Sequence, residues 1–240
     1  MANAQLHEIE LLGNTIKYEV RHSTDASKPR IDVDIHGVTV VLPESPSVTP
    51  DELLHDNAAW VVEKTRGFEK YREQVPERRF AEGEFFPYLG EEHEVVVEQR
   101  PSSSVVDGTL RLAKHHVEDT SIERALETLY RRNARQRFER RADYFAEQMG
   151  VGYEQIEVRN QRTKWGSCSS NGTLGLNWRL MMAPPEIVDY VVVHELAHLW
   201  EANHSSEFWS LVAEHDPEYE DHSEWLTENS ARLVFSEDDL

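Results

Sequence analysis

Cysteines and lysines are rare in this sequence, and long apolar segments are absent from it. Its 240 residues include one cysteine, Cys168, which excludes an intrachain disulfide bond. There is no apolar signal-peptide core near the N-terminus and no apolar run long enough to span a bilayer. We therefore expect a soluble protein of the cytoplasm, with no membrane partner.

Basic residues are scarce in comparison with acidic ones. The chain has 45 Asp and Glu residues against 25 Lys and Arg residues, and its formal net charge is -20. An acidic surface with few lysines is typical of proteins kept soluble in concentrated salt, because screening by the salt removes the self-repulsion. The composition thus predicts a halophilic source, with an ordinary acidic cytoplasmic protein as the alternative. Hydrophobic residues make up 39% of the chain, as in a globular protein.

Positive charge is concentrated in one segment of this acidic chain. Seven arginines lie between Arg124 and Arg141, and apolar residues recur there at three- and four-residue steps. This periodicity predicts an amphipathic helix over residues 121–149 with a basic outer face. The helix is either a solvated surface whose arginines pair with nearby glutamates, or a surface that binds an anionic partner.

The pattern of short elements predicts an α+β fold in two regions. Residues 1–120 alternate β-type runs with turn residues around one helix that starts at Thr49-Pro50, and they indicate an antiparallel β-rich region. Residues 121–240 contain the Arg-rich helix, a hairpin signal at Asn171-Gly172 and a helix entered through Pro184-Pro185. The two regions either form separate subdomains or one continuous domain.

A cluster of histidines around one glutamate carries most of the functional information. His194 and His198 are four residues apart, so on a helix their rings point about 40° apart and can reach one ion. Glu195 lies on the flank of the same helix, where it can take a proton from water without binding the metal. With His204, three imidazoles and an open fourth position suit Zn²⁺.

His204 cannot join the other two histidines if the helix continues through it. Six residues after His198 correspond to about 600° of helical rotation, which turns His204 roughly 120° away. The helix must therefore break, and Asn203 is expected to adopt a left-handed conformation at the break. Ser205 is then the predicted N-cap of a following helix.

Landmarks across the C-terminal half resemble those of the YgjP-like metallopeptidase family. They are Trp165-Gly166-Ser167-Cys168-Ser169, Leu176-Asn177, Pro184, Asp189-Tyr190-Val191-Val192, His194 to His198, Asn203-His204-Ser205 and Phe208-Trp209. The resemblance implies a zincin-like core, in which the edge of a mixed sheet faces an active-site helix. It also implies that His194, His198 and His204 bind zinc and that Glu195 is the catalytic carboxylate. The family is itself similar to SprT-type proteases, which act on proteins bound to DNA.

The identity of the third ligand has an alternative. The spacing from His198 to His204 equals that of metzincins, but Glu201 stands where metzincins have a turn glycine. A gluzincin-like site would instead use a downstream carboxylate such as Glu214, Glu218 or Glu220.

Residues before the histidine helix are candidates for binding substrate. Zincins commonly hold an extended peptide along a sheet edge. The strand formed by Leu174, Gly175, Leu176 and Asn177 is therefore predicted to offer its backbone to substrate. Alternatively, the strand has only a structural role in the sheet, and Asn177 holds a neighbouring loop. Trp165 either lines the cleft or packs in the core. Cys168 is either an inhibitory fourth ligand or a small buried apolar residue, and we favour the second.

These features together predict a zinc-dependent metalloendopeptidase, a hydrolase that acts on protein or peptide substrates. A zinc-activated water would attack the peptide bond, and Glu195 would be the general base. The alternative is a zinc-containing binding module on DNA-bound protein complexes, without turnover. Glu195 separates the two, because a purely structural zinc site needs no general base.

Overall fold

A computed structural model of the chain describes residues 6–24 and 26–239. The chain divides into two compact units, one ending at Pro76 and the other spanning Glu77–Asp239. Each unit has its own hydrophobic core. The predicted boundary at residues 120 and 121 therefore does not coincide with the boundary between the compact units.

The first unit contains one four-stranded sheet followed by two helices. Its elements are β1 (Leu6–Leu11), β2 (Asn14–His22), β3 (Arg30–Asp34), β4 (Gly37–Leu42), α1 (Pro50–Asp56) and α2 (Ala58–Gln74). The strand order is β1-β2-β4-β3, and the two central strands β2 and β4 are parallel. The prediction of an antiparallel sheet is wrong for this central pair. Alternation of apolar residues identifies a strand but carries no information on the direction of its neighbour.

The helical part of the first unit begins where the sequence predicted it. The Glu52 amide donates to Thr49 Oγ1 at 3.2 Å, and the Glu52 carboxylate accepts from the Thr49 amide at 2.9 Å. This reciprocal capping box stabilises the start of α1. The predicted single helix is interrupted at Asn57, whose side-chain amide donates to the Leu53 carbonyl at 2.8 Å. Asparagine competes with the helical backbone for hydrogen bonds, and the chain restarts as α2.

The second unit begins with a sheet of the same pairing scheme. Its strands are β5 (Phe85–Tyr88), β6 (Glu91–Glu98), β7 (Ser104–Val106) and β8 (Thr109–Ala113), in the order β5-β6-β8-β7. As in the first unit, two antiparallel hairpins are joined by one parallel central pair. The first hairpin of each sheet turns through a Leu-Gly pair, Leu12-Gly13 and Leu89-Gly90, with positive φ at both residues. The two sheets are topological repeats of each other.

The Arg-rich segment forms the longest helix of the described chain. After the short α3 (Lys114–Asp119), α4 spans Ile122–Met149, begins at the N-cap Ser121 and ends at the left-handed Gly150. The predicted helix is confirmed. Its apolar residues are buried in the core of the second unit, namely Leu126, Leu129, Tyr130, Ala134, Phe138, Ala142 and Phe145. No helix in the described ranges is long and apolar enough to cross a membrane.

A three-stranded sheet and three helices complete the second unit. They are β9 (Gln155–Arg159), β10 (Gly166–Cys168), β11 (Thr173–Asn177), α5 (Pro185–Ala197), α6 (Ser206–His215) and α7 (Tyr219–Asn229). The hairpin at Asn171-Gly172 joins β10 to β11, while β9 pairs with β11 in parallel. Strand β11 is thus the middle strand of this sheet.

We expect a fragment of residues 77–240 to fold by itself, whereas a fragment of residues 121–240 should not. The second unit buries Phe86, Val95, Leu110 and Leu112 from β5, β6 and β8 in one cluster with the apolar side of α4. Removing these strands exposes that side to water. Thermal unfolding followed by circular dichroism should be cooperative for the longer fragment only. Equal cooperativity of the two fragments would contradict this division of the chain.

Candidate metal centre

Helix α5 holds the first two histidines and the glutamate. It is buried along most of its length, with Ile187, Val188, Val192, Val193 and Leu196 all in the core. His194 and Glu195 lie in its last turn, and His198 is the residue that caps its C-terminus. Rigid packing of the helix therefore fixes the backbone that carries these side chains.

The chain turns sharply after His198. The Leu199 amide donates to the Leu196 carbonyl at 3.0 Å, and the Glu201 amide donates to the Ala197 carbonyl at 3.0 Å. Asn203 does not have a positive φ, so the predicted left-handed conformation is wrong. Instead, a backbone hydrogen bond of 2.8 Å from the Ser205 amide to the Asn203 carbonyl closes the turn that reverses the chain direction.

Ser205 is the N-cap of α6, as predicted, and it fixes the position of the residue before it. Its hydroxyl accepts a hydrogen bond from the Phe208 amide at 3.3 Å. His204 is thereby held at the entrance to α6, where Trp209 stacks on its ring with centroids 5.6 Å apart.

The three histidines converge on one point. A nitrogen of each ring lies within 4.8 Å of a nitrogen of the other two, and Nε2 of His204 is 3.1 Å from Nε2 of His194. Tetrahedral ligation at Zn–N distances of about 2.0–2.1 Å would separate such nitrogens by roughly 3.3 Å. The separation of the His194 and His204 nitrogens is close to that value. This group is the one set of potential metal ligands found in residues 6–24 and 26–239.

The ionisation states of the buried rings favour metal binding. The pKa of His194 is lowered to about 4, first by burial and then by the His198 and His204 rings. Burial also lowers the pKa of His198, and its hydrogen bond to Glu201 acts in the opposite direction. Both rings are therefore neutral at pH 7, which is the form that binds metal ions.

Hydrogen bonding identifies the free nitrogen of His198. Its Nδ1 lies 3.1 Å from the Glu201 carbonyl oxygen. A carbonyl oxygen only accepts, so Nδ1 carries the proton and Nε2 keeps its lone pair for a metal ion. At His194, by contrast, Nδ1 is buried and has no hydrogen-bond partner in the described part of the chain. The donor set of three imidazoles fits a metal ion of the zinc type.

Glu195 is a buried carboxylate beside these rings. Only 5% of its surface is exposed. Burial raises its pKa to about 7, and the positive charge of Lys164 acts in the opposite direction. A carboxylate in such surroundings is suited to exchange protons near neutral pH.

Gly166 of β10 allows Glu195 to occupy its position. A Cβ atom on Gly166 would overlap Glu195 Oε1 and would lie 2.6 Å from Glu195 Cγ. Only glycine permits this approach of strand and carboxylate. Sequence reasoning included Gly166 among the landmarks but gave it no role, because the contact joins residues far apart in the chain.

The strand predicted to bind substrate is not at an edge of its sheet. β11, which contains Leu174, Gly175, Leu176 and Asn177, pairs with β10 on one side and with β9 on the other. Its backbone groups already pair with both neighbours, so β11 is not the sheet edge that the prediction of substrate binding assumed. The adjacent edge strand is β10, and it lies against Glu195 through Gly166.

Asn177 and Trp165 both take part in holding the loop between β9 and β10. The Asn177 side-chain amide donates to the Gln161 carbonyl at 2.8 Å and to the Lys164 carbonyl at 3.3 Å. The ring of Trp165 packs against the core and lies under the guanidinium of Arg179, 5.3 Å away. Of the alternatives for Asn177, the structure thus favours the one in which it holds a neighbouring loop.

Cys168 lies near Glu195 but is not one of the grouped metal ligands. Burial raises the pKa of its thiol, and the charge of Glu195 raises it further. The thiol is therefore protonated at neutral pH and is a poor ligand in this form. The carboxylates of Glu214, Glu218 and Glu220 are likewise outside the group, which favours His204 as the third ligand.

Comparison with known proteins identifies the family. The family model "YgjP-like, metallopeptidase domain" matches residues 27–229. The chain belongs to the YgjP-like metallopeptidase family. Membership implies a peptidase that depends on a catalytic metal and acts on proteins or peptides. No curated protein matches the chain.

Two solved structures of archaeal metallopeptidase zymogens are similar to part of the chain. The abylysin zymogen of Pyrococcus abyssi is 25% identical, with 40% of this chain and 99% of that chain covered and a TM-score of 0.34. The jannalysin zymogen of Methanocaldococcus jannaschii is 19% identical, with 39% and 96% covered and a TM-score of 0.36.

We expect Gly166→Ala to reduce peptide hydrolysis while metal content is retained. The new methyl group would collide with the Glu195 side chain, and the three heavy atoms nearest to it all belong to Glu195 rather than to a histidine. We predict a loss of at least tenfold in kcat/KM, about 1.4 kcal/mol of transition-state stabilisation.

Gly152→Ala is the matched control for this substitution. A Cβ atom there meets no heavy atom within 4 Å, and hydrolysis should be unchanged. Wild-type activity of Gly166→Ala would refute the role given to this close approach.

Proposed function

We propose that the protein is a zinc-dependent metalloendopeptidase. The observation that carries this proposal is the convergence of three imidazole nitrogens beside a buried carboxylate, with an edge strand at the same place. In this proposal His194, His198 and His204 are the zinc ligands and Glu195 is the catalytic residue. The arrangement corresponds to a zincin-like core, in which α5 is the active-site helix and β10 the edge strand.

Zinc is the metal that best suits these donors. Three imidazole nitrogens leave one tetrahedral position open, as in catalytic rather than structural zinc sites. When bound, zinc would lower the pKa of a water molecule and polarise the scissile carbonyl group. Family membership implies a catalytic metal of some kind, whereas the choice of zinc rests on this donor set.

Glu195 would move the proton during hydrolysis. One carboxylate oxygen accepts a proton from the attacking water and later delivers it to the leaving amine nitrogen. The close approach of Gly166 limits the positions that this side chain can adopt. The buried surroundings strengthen the interaction of this carboxylate with charge that develops nearby.

The free edge of β10 would bind the substrate backbone. An extended peptide adds to a sheet edge through main-chain hydrogen bonds, and Gly166, Ser167 and Cys168 form the outer strand here. Such binding needs no free terminus of the substrate. This favours cleavage within a chain over removal of terminal residues.

We expect Glu195→Gln to keep the metal and lose hydrolysis. The amide has nearly the shape of the carboxylate but cannot accept the proton, and general-base catalysis is worth roughly 10²–10⁴-fold in rate. Turnover of casein and of quenched fluorescent peptides should fall by this factor, in low and in high salt. Metal content by elemental analysis should stay at the wild-type value.

Treatment of the wild type with a chelator should give the same loss, and added zinc should restore activity. Undiminished hydrolysis by Glu195→Gln would refute its role as the base. Tight zinc binding without any hydrolysis by the wild type would instead favour a binding module.

We expect His204→Ala to lose metal. Removing one of three ligands should weaken zinc binding by more than about 100-fold, because even the loss of a residue that merely supports a ligand costs roughly 10–100-fold in metal affinity. Affinity is measured by competition with a chromogenic chelator. His115→Ala replaces an exposed histidine of α3 and should have wild-type affinity. Stoichiometric tight binding by His204→Ala would exclude it as a ligand.

A further inference from the structure

A polar pocket of about 360 Å³ lies between α4 and the strands β5 and β7 of the second unit. Three arginines of α4 line it, Arg132, Arg137 and Arg140, together with the polar side chains of Tyr88, Ser104 and Asn133. No carboxylate is among its lining residues, and none of them belongs to the histidine centre. The volume is at the lower end of the range typical of small-ligand sites.

None of these three arginines forms an ion pair. Among the residues that the structure describes, no carboxylate lies within ion-pair distance of Arg132, Arg137 or Arg140, although Arg124, Arg131, Arg135 and Arg141 on the same helix all have one. This is unexpected in a chain whose acidic residues outnumber its basic ones by 45 to 25. The unpaired charges leave a locally positive pocket on an acidic protein.

The Arg137 guanidinium has a buried donor that the protein does not satisfy. Its Nε is buried and has no hydrogen-bond partner in the described ranges. Burial lowers the pKa of Arg137, as do the nearby charges of Arg140 and Arg141, while Asp189 acts in the opposite direction. A buried donor of this kind is costly unless it binds an acceptor.

All three arginines of the pocket act on the ionisation of the Tyr88 hydroxyl. Burial raises the pKa of Tyr88, and Arg137, Arg132 and Arg140 all oppose this rise. The Tyr88 hydroxyl accepts a hydrogen bond from the Asn133 side chain at 3.2 Å. Arg132 is held beside it by donating to the Ser103 carbonyl at 2.5 Å. Guanidinium groups of α4 and hydroxyl groups of β5 and β7 thus line one pocket that has no anionic side chain in its lining.

We propose that this pocket binds a dianionic phosphate group, either free phosphate or a phosphate monoester. The planar arginine fork matches phosphate oxygens, and charge-assisted bonds to phosphate are among the strongest hydrogen bonds in proteins. Three guanidinium groups without a carboxylate balance a dianion better than they balance a ligand with a single negative charge. The site is separate from the histidine centre, and the proposal does not depend on peptidase activity.

The test is calorimetric titration of the metal-loaded protein with inorganic phosphate, phosphoserine and acetate at constant ionic strength. Phosphate or phosphoserine should bind at least tenfold more tightly than acetate, and the tighter of the two identifies the source of the group. Arg137→Gln and the more exposed Arg140→Gln should each weaken this binding at least tenfold. Arg140→Lys keeps the charge without the fork and should bind with intermediate affinity.

Arg135→Gln is the matched control on the same helix. Arg135 is exposed and does not line the pocket, and its Nη1 lies 3.7 Å from Oε1 of Glu139. Its replacement should therefore leave phosphate binding unchanged. Circular dichroism establishes that each variant is folded. Phosphate that binds at the histidine centre instead would keep its affinity in both Arg137→Gln and Arg140→Gln, and that result overturns the proposal. Equal affinity for acetate and phosphate, or tighter binding of a short DNA duplex, overturns it as well.

Discussion

Burial of α5 determines most of the properties of the metal centre. The helix is apolar on nearly every side, and the core holds it rigidly up to its last turn. Glu195 is therefore buried, and His194 is partly buried beside it. The same desolvation lowers the pKa of the histidine and raises that of the glutamate, so a neutral ligand and a proton-exchanging carboxylate arise from one cause. A solvated helix with the same five-residue motif would have neither property.

The position of the third histidine depends on a different, local constraint. His204 belongs to no helix or strand, and its place is set by the turn after His198 and by the N-cap at Ser205. The sequence predicted both the need for a break and the cap, because helix geometry and serine preference are local. It did not predict the backbone conformation of Asn203, since several tight turns reverse a chain equally well. The bonds that distinguish them here run from the Ser205 amide to the Asn203 carbonyl and from the Asn203 amide to the Glu201 side chain.

Contacts between distant segments mark the limit of sequence reasoning here. The extent of α4 and its buried side could be predicted from periodicity, and the grouping of His194, His198 and His204 from spacing together with family resemblance. The parallel pairing of β2 with β4 and the central place of β11 could not, because strand patterns do not encode neighbours. The approach of Gly166 to Glu195 was hidden for the same reason. In α4, the distinction between paired and unpaired arginines depends on partners such as Asp189, which reaches Arg141 from a separate helix.

The repeated pairing scheme of the two four-stranded sheets has a consequence for the order of assembly. Each sheet consists of two hairpins whose strands are close in sequence, and such hairpins form on a timescale of about 1–10 μs. The parallel pair that unites them, β2 with β4 or β6 with β8, requires a longer stretch of chain to be ordered first. We therefore expect the parallel pairing to be the slow step in each sheet. Until it forms, the inner strands of both hairpins have unpaired edges, and these are the segments through which newly made chains would associate with one another.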